Sequence, residues 1–200
     1  MQAGELSVVC DGLLARIFQR LGAENSRGSM VAITSAHPRA GVSHIANALA
    51  EALNRGGDRL TVLLSSRCMS AGSVSADSAG ARERGARAGL WQRHQSGTPC
   101  GKRHDIHTRM AVYFEQLRRE YPYILIDCPS LREAEHALIL ASLVDGVVLV
   151  VEANRTQKEQ FLYAERAIEN AGGRILGHVL NKRNYVIPEW LHRRMEAFGI

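Results

Sequence analysis

From Leu6 the apolar positions Leu6, Val9, Leu13, Ile17 and Leu21 recur at steps of three and four, which predicts one amphipathic helix stopping near Gly22. Met30 to Thr34 (MVAIT) is a short apolar, β-branched run. It is followed by the turn-rich SAHPRAGVS and then by Ile45, Leu49 and Leu53 at helical spacing, a strand, loop and helix in succession. After the turn at Gly56, Gly57 and Asp58 comes a second strand, Leu60 to Leu64. Periodicity then collapses from about Ser65 to Asp105 into Ser, Gly, Ala and Arg, the pattern expected of a mobile loop. It returns with a helix from about Ile106 to Glu120, a strand from Tyr123 to Ile126 closed by Asp127, and a strand from Val147 to Val151. Ser130 with Glu133, and Thr156 with Glu159, stand three apart as two capping boxes that open two further helices. The second of these helices puts Phe161, Ala164, Ile168 and Ala171 on one face and stops at Gly172 and Gly173. Arg174 to Leu180 forms the last strand, ahead of a short C-terminal helix.

Strands alternate with helices throughout, and runs such as YILID and GVVLVV lack the polar alternation of a half-exposed strand. The expected architecture is therefore α/β, a doubly wound, mostly parallel sheet with helices on both faces. In such sheets ligands bind where loops leave the carboxyl ends of strands, here after Thr34, Leu64, Ile126 and Leu180.

Composition narrows the class. At 200 residues, 46% hydrophobic and 22% charged, the chain is expected to form one domain, 1–200, around a sizeable core, with 65–105 as its loop. The longest apolar stretch, Ala137 to Val151, is broken by Asp145 and Gly146 and falls short of a membrane span. The start MQAGELSVVCDGLLARIFQR carries Glu5 and Asp11 and no basic n-region, so a cytoplasmic location is expected. Cys10, Cys68, Cys100 and Cys128 show neither disulfide nor zinc spacing and read as reduced thiols. The net charge of +5 is local: the 65–105 segment holds seven basic residues against three acidic ones. A solvated loop accounts for that surplus, and an anion-binding segment is the alternative. His104 and His107 read as surface residues, and no Ser-His-Asp or Cys-His arrangement supports hydrolase chemistry.

The loop after the first strand, Ala36-His37-Pro38-Arg39-Ala40-Gly41-Val42-Ser43, lies in register with the phosphate loop G-x-x-x-x-G-K-[ST] but keeps only its second glycine and its hydroxyl. Backbone N–H groups at a helix start still suit a phosphate, which makes Pro38 to His44 the candidate nucleotide-binding stretch. Val42 occupies the lysine position and cannot neutralise β and γ phosphates; Arg39 is the nearest cation in sequence. Asp127 stands where a strand-end carboxylate would hold Mg²⁺ through water, with Ser43 as the direct ligand, and it is the one catalytic candidate if the site turns over. A helix cap is the plainer role for such an aspartate. Asn181 and Arg183 end the last strand where a nucleobase would lie, and the Asn181 amide suits a purine edge, although an ordinary turn residue fits as well.

Together VAITSAHPRAGVSHIANALAEAL, YPYILIDCPSLREAEHALILASLVDGVVLVVEANRTQKEQ and GGRILGHVLNKRNYVIPEWLHRRM resemble the cytoplasmic domain of bacterial tyrosine autokinases that control capsule and exopolysaccharide assembly. The most specific pieces are I-D-x-P after the third strand, Asp145 to Val151, and G-x-x-L-N-K-R followed by I-P-x-W-L. The resemblance implies a MinD-like P-loop NTPase fold that binds ATP or ADP with Mg²⁺. It also implies a membrane chain-length determinant (polysaccharide co-polymerase) as partner, recruitment to the inner face of the membrane, and a C-terminal tyrosine cluster as phosphate acceptor. Self-association stays open, and no specific nucleic acid is expected.

The chain departs from that pattern at Val42, at Leu64-Ser65-Ser66 where a second aspartate-rich motif ends the family's second strand, and at Glu196 to Ile200, which has no tyrosine. Cation, second carboxylate and acceptor are lost together, so a degenerate, regulatory member with impaired or absent kinase activity is the leading expectation. An active tyrosine kinase with an unusual loop is the alternative, and a partitioning-type ATPase of the same superfamily ranks after it.

Overall fold

In the computed structural model the described residues are 10–17, 21, 27–55, 61–65, 91–94, 103–133 and 136–183. Within them the chain runs as helix α1 (10–17), β1 (Ser29–Ser35), α2 (Val42–Arg55), β2 (Thr61–Ser65), β3 (Trp91–His94), α3 (Arg103–Glu120), β4 (Tyr123–Asp127), α4 (His136–Ala141), β5 (Gly146–Glu152), α5 (Lys158–Asn170) and β6 (Ile175–Asn181). The six strands form one sheet in the order β3-β2-β4-β1-β5-β6, and every pairing is parallel.

The pleat sends neighbouring residues of each central strand to opposite faces, and both faces are dry. Val31, Ile33, Leu125, Val148 and Val150 join Leu14 and Ile17 of α1 and Ile45, Ala46 and Leu49 of α2 in one buried layer. Met30, Ala32, Ile124, Ile126, Val147 and Leu149 join Met110 and Phe114 of α3, Leu140 of α4 and Ile168 of α5 in the other. This is the doubly wound sandwich that the all-apolar strands predicted.

The structure departs from the sequence expectations in four places. In α1 the inner face takes Cys10, Leu14 and Ile17, with Leu13 only half-buried, so the buried stripe is turned by one residue from the expected one. β3 lies inside 65–105, where no strand was expected. Its sequence WQRH carries no apolar period because it is the sheet's outermost strand and pairs through its backbone with β2 alone. The rest of 66–102 and the expected C-terminal helix lie outside the described residues.

The two capping boxes also resolve differently. Ser130 Oγ does donate to Glu133 Oε2 (3.0 Å), but α4 begins only at His136, because Leu131 N–H first ties back to Ser35 O (2.9 Å) and 131–133 form a turn. Thr156 caps nothing: α5 starts at Lys158 with Gln157 as an N-cap that makes no side-chain bond. The Thr156 hydroxyl instead accepts Glu152 N–H (3.0 Å) and meets His37 Nε2 (2.8 Å).

At the amino ends of the strands, away from the candidate loops, Asp145 Oδ2 accepts both Met30 N–H and Arg118 Nη1–H at 2.6 Å, and Arg118 Nη1 also donates to Gly28 O (2.9 Å). One ion pair thus joins the starts of β1 and β5 to the end of α3. Among the described residues, no helix is long and apolar enough to cross a membrane.

Candidate nucleotide site

β1 feeds α2 on one face of the sheet, whereas its neighbours β4 and β5 feed α4 and α5 on the other. The connections therefore part above the carboxyl end of β1 and leave a crevice there, as such sheets require. Thr34 Oγ1 donates to Pro129 O (2.7 Å) and Cys128 N–H to Ile33 O (2.9 Å), so the loops after β1 and β4 form two fixed walls.

Between them is a cleft of about 130 Å³, lined by Pro38, Arg39, Gly41, Val42, Ser43 and His44 on one side and by Cys128, Pro129, Ser130 and Glu133 on the other. That is below the roughly 300–1,000 Å³ of a drug-sized pocket and is on the scale of a phosphate notch. The loop turns into α2 through two left-handed residues, Arg39 (φ 66°) and Gly41 (φ 96°), and Gly41 O accepts the first helical bond from Ile45 N–H (3.1 Å). Turns of this kind present successive amides to an anion at the positive end of a helix, and α2 has no acidic residue in its first turn to compete.

The expected site residues fall into two groups. Pro38, Arg39, Gly41, Val42, Ser43 and His44 share the cleft. Val42 also packs into the layer between α2 and the sheet and is only 9% exposed, so the position expected to carry the phosphate lysine is part of the core. Ala40 is fully buried behind the loop. Asn181 sits there too: its Nδ2 donates to Ala40 O (2.8 Å), and a Cβ on Gly41 would collide with it. Arg183 is exposed beyond the end of β6. Asp127 is buried at the end of β4, in register with Ile33 of β1 and with Ser65 of β2.

Sequence reasoning missed the residues behind the loop. Lys182 Nζ donates to Arg39 O (2.6 Å) and to Glu152 Oε1 (3.1 Å). Glu152 is buried, with Arg155 at 3.5 Å and His37 Nδ1 at 3.9 Å. Burial works against its charge, but the Lys182 hydrogen bond and charge, helped by Arg155 and His37, outweigh that and hold the carboxyl below its ordinary value. Glu133 was noticed only as a cap partner, yet it brings a carboxylate to the cleft. The one sequence signal for the rear cluster was that Glu152 and Lys182 both end strands at the ligand-binding edge.

A nucleotide phosphate fits this loop by its backbone. Magnesium fits only alongside phosphate, because no group of three or more His, Cys, Asp or Glu among the described residues converges to hold a metal alone.

No family model matches the sequence. The chain is 37% identical over 70 residues to the tyrosine-protein kinase CpsD of Streptococcus agalactiae, 35% of this chain and 31% of that protein. It is 33% identical over 61 residues to the tyrosine-protein kinase YwqD of Bacillus subtilis, 30% of this chain and 26% of that one. Among solved structures, the chimerical protein CapA2B2 superposes with a TM-score of 0.69 at 21% identity, covering 88% of this chain and 84% of that one. The kinase domain of the Escherichia coli tyrosine kinase ETK gives 0.67 at 17%, covering 88% and 76%. The chain is related to the bacterial tyrosine-protein kinases and has their fold. The MinD cell division protein of Aquifex aeolicus, at a TM-score of 0.53 and 16% identity over 85% of this chain and 74% of that one, extends the likeness of fold to MinD-like ATPases. The matched stretch is about a third of the length of the curated tyrosine kinases.

Proposed function

We propose that this chain is a tyrosine-kinase-like P-loop module that binds ATP or ADP with Mg²⁺ but transfers phosphate poorly or not at all, and that regulates capsule or exopolysaccharide assembly through a membrane chain-length determinant protein. The observation that carries the impaired chemistry is Val42, a core residue at the lysine position. Arg39 is then the cation of the cleft, opposed by Glu133. It stands before α2 and not at the lysine position, so charge developing on a transferred phosphoryl group goes largely unneutralised. Ser65 stands beside Asp127 in the sheet, where the second carboxylate of the related kinases is expected, and supplies none.

With nucleotide in the cleft, amides of 41–44 would hold the phosphates, Ser43 would be the direct ligand of Mg²⁺, and Asp127 would hold the ion through water. The ion would supply charge neutralisation and the chain the cradle. The recruiting partner and the membrane-proximal location rest on the kinship with CpsD and YwqD alone. Titration with ATP and ADP plus Mg²⁺, followed by a phosphotyrosine assay, tests the reading. Binding without self-labelling is expected, whereas labelling that vanishes in Asp127→Ala would overturn the impaired reading, and no binding at all would overturn the nucleotide reading.

A further inference from the structure

The phosphate loop is held from behind by side chains of three other segments. Asn181 and Lys182, at and just beyond the end of β6, donate to the carbonyls of Ala40 and Arg39, two consecutive residues of the loop. Lys182 is anchored in turn on Glu152, the last residue of β5. The Glu152 backbone N–H is fixed by Thr156, whose hydroxyl meets His37 Nε2, and His37 Nδ1 meets Pro38 O (3.0 Å) inside the loop. Both ends of the lysine bridge, Arg39 (φ 66°) and Lys182 (φ 56°), occupy left-handed backbone that is costly for residues with a Cβ. Such conformations persist only where their surroundings enforce them, and they cluster where a site must be shaped before its ligand arrives.

We infer that Lys182 is a positioning residue for anion binding: its ammonium bridges the Arg39 carbonyl and the Glu152 carboxylate and holds the loop open to phosphate before any ligand is present. The loop lacks a lysine at Val42 that would grip phosphate directly. This chain has a cation behind the loop instead, and that cation acts on backbone shape. An ammonium spent on a carbonyl and a carboxylate does not neutralise phosphate charge, so its contribution is the same whichever phosphate group enters. The affinity consequence rests on the nucleotide-binding reading above; the shape of the empty loop does not.

Lys182→Met keeps most of the side-chain volume and removes the charge, and Lys182→Arg keeps it. The Lys182 side chain is about half exposed (46%), so neither change threatens the core. Amide hydrogen exchange of residues 39–42, measured without ligand, should quicken about tenfold or more in Lys182→Met and in Glu152→Gln and recover in Lys182→Arg. The double variant Lys182→Met, Glu152→Gln should be no faster than either single change, because both break one bridge. Binding of inorganic phosphate, ADP with Mg²⁺ and ATP with Mg²⁺ should each weaken by a similar factor of about ten in Lys182→Met, which is about 1.4 kcal/mol. Unchanged loop exchange in Lys182→Met would overturn the inference. A loss confined to ATP would overturn it too, by assigning Lys182 a direct contact with the outer phosphates. If the parent chain binds none of the three ligands, the nucleotide reading fails, and the exchange comparison still decides the role of Lys182.

Discussion

Gly41 is the residue whose backbone the site most depends on. Its φ of 96° disfavours any side chain, and a Cβ there would drive into the Asn181 amide that holds Ala40 O. Gly41→Ala should lower the melting temperature by a few degrees, reflecting about 1–3 kcal/mol of strain, and weaken nucleotide binding more than tenfold. Thermal unfolding paired with an ATP titration checks both. Val42 carries the opposite lesson. Val42→Lys returns the missing cation but takes an apolar side chain out of the layer holding Ile45, Leu49 and Val148. The expected result is tighter ATP binding at a cost of about 1–2 kcal/mol in stability, with phosphotyrosine labelling still absent because Ser65 supplies no carboxylate. The glycine and the lysine gap were both visible in SAHPRAGVS. That Val42 had become core was not visible, since a valine one residue into a helix reads the same whether it faces a cleft or a sheet.

At the scale of elements, the strands were legible because each central one is buried on both faces. Nothing about β1 or β5 depends on which neighbour it meets, only on its being apolar throughout. β3 was illegible for the converse reason, since an outermost strand is specified by its partner's free backbone groups. Thr156 shows a third kind of failure. A threonine three residues before a glutamate fits a capping box, but a hydroxyl bonds whichever donor lies closer, and here that donor is Glu152 N–H. The ends of the elements also carry a stability device in the Arg118–Asp145 pair, with Arg118 nine-tenths buried. Asp145→Ala leaves the Met30 amide without this acceptor and the Arg118 guanidinium with Gly28 O, Leu143 O and the more distant Glu115, and should cost about 1–3 kcal/mol, or about 3–10 °C in melting temperature. Because the pair sits at the amino ends of the strands, ATP affinity of the folded variant should match the parent.

For the whole molecule, the loops that follow β1, β5 and β6 are joined through Glu152, which faces Lys182, Arg155 and His37. Its carboxyl is held below the ordinary value, so the stabilisation is fully present above the usual carboxylate range near pH 4.3 and is lost as acid protonates the folded protein. Glu152→Gln should melt lower than the parent at pH 7 by about 2–4 °C, corresponding to about 1 kcal/mol for an ion pair whose lysine is half exposed, and the two curves should converge as pH falls below the usual carboxylate range. A gap unchanged by acid over the range in which the parent stays folded would show that charge is not what Glu152 contributes.

By itself the sequence determined the alternation of strands and helices, the burial of both sheet faces, the place of the phosphate loop and the absence of its lysine. All of these follow from local composition and period. Only the tertiary structure decided that Val42 belongs to the core, that Asn181 reaches the loop's backbone, and that Lys182, Glu152, His37 and Thr156 meet behind it. Apart from the local Glu152–Thr156 bond, those contacts join residues 30 to 143 positions apart, and no local pattern encodes a distance that exists only once three parallel strands end side by side.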